Sequence, residues 1–155
     1  MLALLVLLTC VAPPVDAAVI DPYRPPACPW CAGNRGITYG TEPRTPVRAV
    51  LPGIVSFSGR VVDVAYVVVA VGDGRRLTYG GLERADVPVG ARVSVGETLG
   101  VSSTTVHFGV RRGSSYEDPM GVLTGRTRAR LVRLDGRRRP PSASIPCGPA
   151  TAGSS

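Results

Sequence analysis

The sequence predicts an all-β domain built from antiparallel strands, with little or no helix. Three observations predict it. Valine dominates the apolar residues, and β-branched side chains suit a pleated sheet. The 155-residue chain carries 19 glycines and 15 prolines, which break it into short runs. No window of helix length places apolar residues at helical spacing. The length is that of one domain, with enough apolar residues for one core.

Residues 1–12, MLALLVLLTCVA, are almost wholly apolar and are closed by Pro13 and Pro14. The run is too short to span a bilayer as a helix. Residues 15–17, VDA, offer a small-x-small cleavage site, so residues 1–17 read as an export signal. Only the terminal amine precedes the apolar core in place of a basic segment. Residues 7–10, LLTC, also resemble a lipoprotein box, which makes Cys10 a minor candidate for lipid attachment. Export implies a secreted or cell-envelope location and an oxidising compartment, where cysteines favour disulfides.

Residues 18–32 read as an extended segment holding Cys28-Pro29-Trp30-Cys31. The spacing is that of a thioredoxin redox motif, but that chemistry needs its first thiol at a helix N-terminus. Gly33, Gly36 and Gly40 break the following stretch into turns. A structural disulfide is the better reading: Cys28 with Cys31, or one of them with Cys147, tying the two ends of the domain. Zinc held by Cys28, Cys31 and His107 is an alternative, because Cys-x-x-Cys is also a metal spacing.

Residues 33–134 read as the β domain. TPVRAVLPG (45–53) and IVSFSGRVVDVA (54–65) look like consecutive strands about a Pro52-Gly53 turn. YVVVAV (66–71) is a continuous apolar run suited to a strand buried on both faces. GDG (72–74) signals a hairpin, and RRLTYGGL (75–82) returns from it. VPVGARVSVGETLG (87–100) repeats Val-x-x-Gly, as in a tight hairpin that turns at each glycine, and TTVHFGVRR (104–112) is a further strand. Asp118 before Pro119 reads as a turn former.

Residues 135–155 form a polar, Arg/Pro-rich tail, and seven arginines punctuate residues 124–139. This stretch reads either as a solvated, partly disordered tail or as a surface for an anionic envelope polymer. The net charge of +7 is carried wholly by arginine, since the chain has no lysine. It reflects either an anionic partner or a compositional bias. Nucleic acid is excluded as a partner, because export removes the opportunity and no stacking aromatics flank the basic residues.

Several pieces stand in a telling order: NRGIT (34–38), RTPVRAVLPGIVSFSG (44–59), YGGL (79–82), VPVGARVSVGETLG (87–100), TVHF (105–108) and Asp118-Pro119. This order resembles the lysostaphin/LytM-type zinc endopeptidases (the duplicated hybrid motif fold), which cut peptide cross-links in bacterial cell walls. That family's pattern runs His-x-Gly-x-Asp, Gly-Thr-Pro-Val, Tyr-x-His-Leu, a Val-x-x-Gly hairpin, His-x-His-Phe and a late Asp-Pro. The resemblance covers nearly the whole domain and implies an antiparallel β-sheet groove or sandwich of the LytM type.

It also implies a site. The family's zinc ligands fall on Asn34, Thr38 and His107, and its two further functional histidines on Gly81 and Thr105. Only His107 keeps its residue type. A catalytic zinc needs about three imidazole, carboxylate or thiolate ligands and an open position for water. An amide and a hydroxyl are poor replacements, and Gly81 offers no acid, base or oxyanion donor. No metal or other cofactor is therefore expected. The bland reading of His107 is a strand histidine satisfied by a neighbour or by water. The Val-x-x-Gly hairpin also occurs in biotin and lipoyl carriers, but those need a lysine, which this chain lacks.

The expected function is an exported, non-catalytic module, with a groove of Asn34, Thr38, Tyr79, Thr105 and His107 beside Gly81. It would bind cell-wall peptide or regulate a wall hydrolase. Relatives that activate wall amidases usually carry a coiled coil, and none is found here. The alternative is an active peptidoglycan zinc endopeptidase with an unconventional metal site.

Overall fold

The structure, a computed structural model, describes residues 11–124. In chain order its elements are β1 (Val19–Asp21), β2 (Gly36–Gly40), β3 (Pro46–Arg48), β4 (Gly53–Val61) and β5 (Val64–Ala70). They continue with β6 (Arg75–Ala85), β7 (Arg92–Val93), β8 (Thr98–Arg112), β9 (Ser115–Glu117) and the one-turn helix α1 (Met120–Leu123). The strands form one sheet in the order β1-β2-β8-β6-β5-β4-β7, with β3 and β9 also paired to β8. The expected all-β, antiparallel class is what the chain adopts. Asp118 ends the last strand as a turn former, its carboxylate accepting the Met120 N–H at 2.9 Å.

Strand periodicity assigns one face of the sheet to the core. Val67 and Val69 of β5, Leu77 and Tyr79 of β6, Val106, Phe108 and Val110 of β8, and Ile37 and Tyr39 of β2 are buried together. Tyr79 sits opposite Phe108 in the ladder, with ring centroids 5.3 Å apart. The same buried cluster takes Val47 from β3, Val55 from β4, Leu99 from β8, Val122 and Leu123 from α1, and Val50 from the β3–β4 connection. The buried Tyr79 hydroxyl accepts the Val50 N–H at 2.9 Å, which ties one connection to the central strand.

Four expectations about local structure need correction. Residues 54–65 are not one strand. They hold the β4–β5 hairpin, which turns at Val62 with φ 57°. That conformation usually falls to Gly or Asn, so a valine there gives no turn signal. β5 is buried on one face only, because Tyr66, Val68 and Ala70 face an open groove and are half-buried. Pro52-Gly53 does not join a hairpin: β3 pairs with β8, whereas β4 pairs with β5 and β7. Residues 87–100 do turn at Gly90 and Gly96, with φ +88° and +79°, but only Arg92–Val93 within them pair with β4.

The segment 18–32 is more ordered than an extended leader, since it supplies β1 and half of a small hairpin closed by the Arg24–Asn34 bridge. The last residues of the expected signal also touch the domain. Val15 is buried in the core, and the Pro14 carbonyl accepts the Arg48 N–H at 2.8 Å. Cleavage after Ala17 would remove both contacts. Residues 1–10 with Cys10, residues 125–134 of the expected domain, the tail 135–155 and Cys147 lie outside the described residues.

The Tyr79 hydroxyl gives a test of this packing. Tyr79→Phe keeps the ring but leaves the buried Val50 N–H without its acceptor. The expected loss is about 1–3 kcal/mol, read as a lower urea midpoint at unchanged slope.

Candidate functional site

Arg76, Thr78 and Gly80 of β6 and His107, Gly109 and Arg111 of β8 point away from the core and build the floor of one open groove. The cross-strand register writes its floor as rows. Thr38, His107 and Gly80 stand side by side in the first. Gly36, Gly109, Thr78, Val68 and Phe57 form the second, and Arg111, Arg76 and Ala70 the third. The glycines keep the floor low. A Cβ on Gly80 would lie 2.5 Å from the Tyr66 ring, and one on Gly36 would lie 2.7 Å from His107 Nε2. The groove holds a cavity of about 630 Å3, within the usual range for small-ligand sites.

One wall is the hairpin of residues 24–34. Backbone bonds between Arg24 and Asn34, at 2.9 and 2.8 Å, close its base. A Cys28–Cys31 disulfide, with an S–S distance of 1.99 Å, closes its tip and leaves Trp30 89% exposed. This pairing sets aside a Cys28 or Cys31 bridge to Cys147. It also removes both thiolates from any zinc set with His107. No helix follows Cys31, so the dipole that activates a thioredoxin-type thiol is missing. Arg35 pins the hairpin from below: it donates to the Pro29 carbonyl and lies over the Tyr116 ring of β9 at 5.6 Å.

Asn34, Thr38 and His107 come together as the sequence predicts, and they satisfy one another. Asn34 Nδ2 donates to the Asp21 carbonyl at 3.1 Å and to Thr38 Oγ1 at 3.4 Å, while its Oδ1 accepts the Gly36 N–H at 3.2 Å. Thr38 Oγ1 lies 3.4 Å from His107 Nδ1. This contact engages Nδ1 of the ring, and Nε2 lies beside Gly36 and Gly109. Burial holds the His107 pKa below its ordinary 6.5, partly opposed by the Asp21 carboxylate. The neutral ring is thus the resting form.

The other expected site residues divide. Gly81 and Thr105 meet at a bulge between β6 and β8, beyond the cavity. Gly81 has φ +76°, and a Cβ there would stand 2.3 Å from the Thr105 carbonyl oxygen. The backbone as folded has no room for a side chain at Gly81. Tyr79 is not a groove residue: it is fully buried on the opposite face of β6, one step out of phase with Thr78 and Gly80. Sequence reading also missed Arg35, Tyr66, Arg76, Thr78 and Arg111, all of which line the cavity. Parity would have found three of them, since Arg76, Thr78 and Arg111 alternate with the buried Leu77, Tyr79 and Val110.

The donors at this site do not suit a zinc ion. They comprise one imidazole, whose Nδ1 is already engaged, an amide with both ends hydrogen-bonded and a hydroxyl. Among the described residues no three His, Cys, Asp or Glu side chains converge. Nor is any buried side-chain nitrogen or oxygen there left without a partner, as a stripped ligand would be. A divalent cation is held by negatively charged or strongly basic donors, and these are lacking.

Residues 32–119 match the family model of Peptidase family M23. No match is found among curated protein sequences. Among solved structures the chain is similar to the catalytic domain, in a mutant form, of the prophage-encoded M23 protein EnpA from Enterococcus faecalis. That likeness has 22% identity and a TM-score of 0.61 over 72% of this chain and 97% of that one. It is similar to lysostaphin in solution, with 23% identity and a TM-score of 0.62, over 71% of this chain but only 51% of lysostaphin. A chain of the SpoIIIAH–SpoIIQ complex matches at 20% identity and a TM-score of 0.62, over 72% of this chain and 98% of that one. These likenesses bear on fold.

Two measurements check the site. The depressed His107 pKa makes the unfolded chain bind the proton first. For this group stability is flat above about pH 6.5 and falls as pH drops from there to the folded pKa. Urea midpoints taken stepwise from pH 8 to 5 should show this slope, and His107→Gln should lose it. Gly81→Ala should cost at least about 1–2 kcal/mol from the left-handed backbone alone, read in the same denaturation assay.

Proposed function

The chain belongs to Peptidase family M23, and on that premise we propose that it is an exported, non-catalytic member whose groove binds cell-wall peptide or a partner wall hydrolase. One observation carries the proposal. Where the family resemblance puts zinc ligands, Asn34, Thr38 and His107 form a closed set of hydrogen bonds. Hydrolysing a peptide needs an activated water and a polarised carbonyl. An amide, a hydroxyl and one imidazole supply no Lewis acid to polarise the carbonyl or to lower the pKa of a bound water, and the family's two further histidine positions are Gly81 and Thr105.

What remains is a binding surface. A cavity of about 630 Å3 with aromatic walls and a polar floor can take a short peptide in extended form. That the SpoIIIAH–SpoIIQ complex contains a similar fold supports a protein partner as the second form of this reading. Export rests on the apolar N-terminus and agrees with a disulfide at Cys28 and Cys31. The Arg-rich stretch after residue 124 would add attraction to anionic envelope polymers.

The test measures metal and turnover on the oxidised protein. Zinc well below one equivalent and intact cross-linked peptidoglycan after prolonged incubation are the expected results. Stoichiometric zinc with chelator-sensitive cleavage would instead establish the alternative, an active endopeptidase with an unconventional metal site. Pull-down on insoluble wall material at rising salt separates groove binding, which should persist, from attraction by the arginines, which should fade.

A further inference from the structure

The third row of the groove floor carries a charge arrangement that the proposed function leaves unexplained. β6 begins Arg75-Arg76 and β8 ends Arg111-Arg112, and the two strands pair Arg75 with Arg112 and Arg76 with Arg111. Alternation sends one pair to each face of the sheet. The Arg75–Arg112 pair is neutralised. Asp73 bonds Arg75 at 2.5 Å and approaches Arg112 at 4.0 Å, and Glu117 holds Arg112 at 2.9 Å. The Arg76–Arg111 pair faces the groove. Among the described residues every ion pair uses another arginine. Like charges directly opposite in a ladder are destabilising, so this pair costs stability in the free protein.

The rest of the cavity has the same sign. Arg35 lines it, and its polar contacts, the Pro29 carbonyl and the Tyr116 ring, leave its charge uncompensated. No Asp or Glu among the described residues lines it. His107 turns Nδ1 to Thr38 and lines the groove as a neutral ring, adding no negative charge. Beside these donors stand apolar surfaces, Phe57, Tyr66 and Val68. Guanidinium forks take carboxylates in two parallel hydrogen bonds.

Resting on the reading of the groove as a wall-peptide site, we propose that its ligand is an acidic peptide, whose carboxylates are held by Arg76 and Arg111 with Arg35 at the near wall. The apolar wall decides between anions. A peptide brings aliphatic side chains next to its carboxylates, whereas a polyphosphate chain would leave Phe57 and Val68 facing charge. Binding also relieves the repulsion between the two opposed arginines, so part of the affinity is stored in the empty groove.

Calorimetry on the oxidised full chain tests this with acetyl-Ala-Glu-Ala and its uncharged counterpart acetyl-Ala-Gln-Ala-amide. The acidic peptide should bind at least about tenfold more tightly. Joint replacement R76Q/R111Q should abolish that preference, and R76K/R111K, which keeps charge without the fork, should retain part of it. The charge-matched control R48A/R92A, on exposed positions outside the cavity, should not change it. In low salt R76Q/R111Q should unfold at a higher temperature than the parent, and sulfate should raise the parent's midpoint more than the variant's. Equal binding of both peptides would overturn the anion assignment while leaving the wall-peptide reading standing. Equal losses in R76Q/R111Q and R48A/R92A, or capture of a polyphosphate chain with no binding of the acidic peptide, would also overturn it. Cleavage of either peptide would instead strike at the non-catalytic reading alone.

Discussion

The pairing of β6 with β8 is the constraint on which the rest of the molecule depends. Tyr79 faces Phe108 across this ladder, and Leu77 faces Val110, all fully buried. Those contacts fix the register, because a slip of one residue would carry every buried side chain of the strand into water. With the register fixed, the neighbours of these residues have no choice of position. His107, Gly109 and Arg111 must face the groove from one strand, and Arg76, Thr78 and Gly80 from the other. The site is the outer face of the core ladder, and its geometry is set by side chains buried on the other face.

This dependence explains how much could be read from the sequence. Composition and glycine spacing made the all-β class and most strands legible, since both follow from local preference. The meeting of Asn34, Thr38 and His107 was legible only through a family resemblance, because it joins two strands about 70 positions apart in the chain. Tyr79 enters the groove set only through the Tyr-x-His-Leu resemblance, and its parity with the buried Leu77 puts it on the core face instead. The turn at Val62 was invisible because a β-branched residue holds a conformation that sequence rules give to glycine. The arginines were counted as a bulk charge, and what distinguishes Arg76 from Arg75 is only which side of the sheet each occupies.

The polar side chains of the Asn34–Thr38–His107 set meet partners within the protein. Carboxylates and imidazoles gathered to hold a metal leave lone pairs facing one another, and a divalent ion must balance them. An amide and a hydroxyl carry donors as well as acceptors. Asn34 therefore satisfies a carbonyl, a hydroxyl and an N–H at once, and the Thr38 hydroxyl engages Nδ1 of the ring. The bulge at Gly81 agrees with this. Its backbone has closed on the Thr105 carbonyl to within the space that a Cβ would need, so substitution at Gly81 alone would not rebuild a histidine site on this backbone.

In the family pattern a metal-binding carboxylate would stand at Thr38, and a neutral hydroxyl stands there instead. The guanidiniums of Arg35, Arg76 and Arg111 stand in the cavity lining with no carboxylate among the described residues there, while the Asp21 carboxylate is felt at His107. The chain has acidic residues enough to cancel them, and on the opposite face of the same two strands it does so. There Asp73 bridges Arg75 and Arg112, and the Arg75 guanidinium beside it lowers the pKa of the Asp73 carboxyl. One face of the ladder is thus neutralised and the other is left charged, although the two arginine pairs differ by a single position on each strand. An uncompensated like-charge pair is costly in a free protein and favourable only in the presence of an anion. The open charge therefore marks the face on which a negatively charged partner would be stabilising.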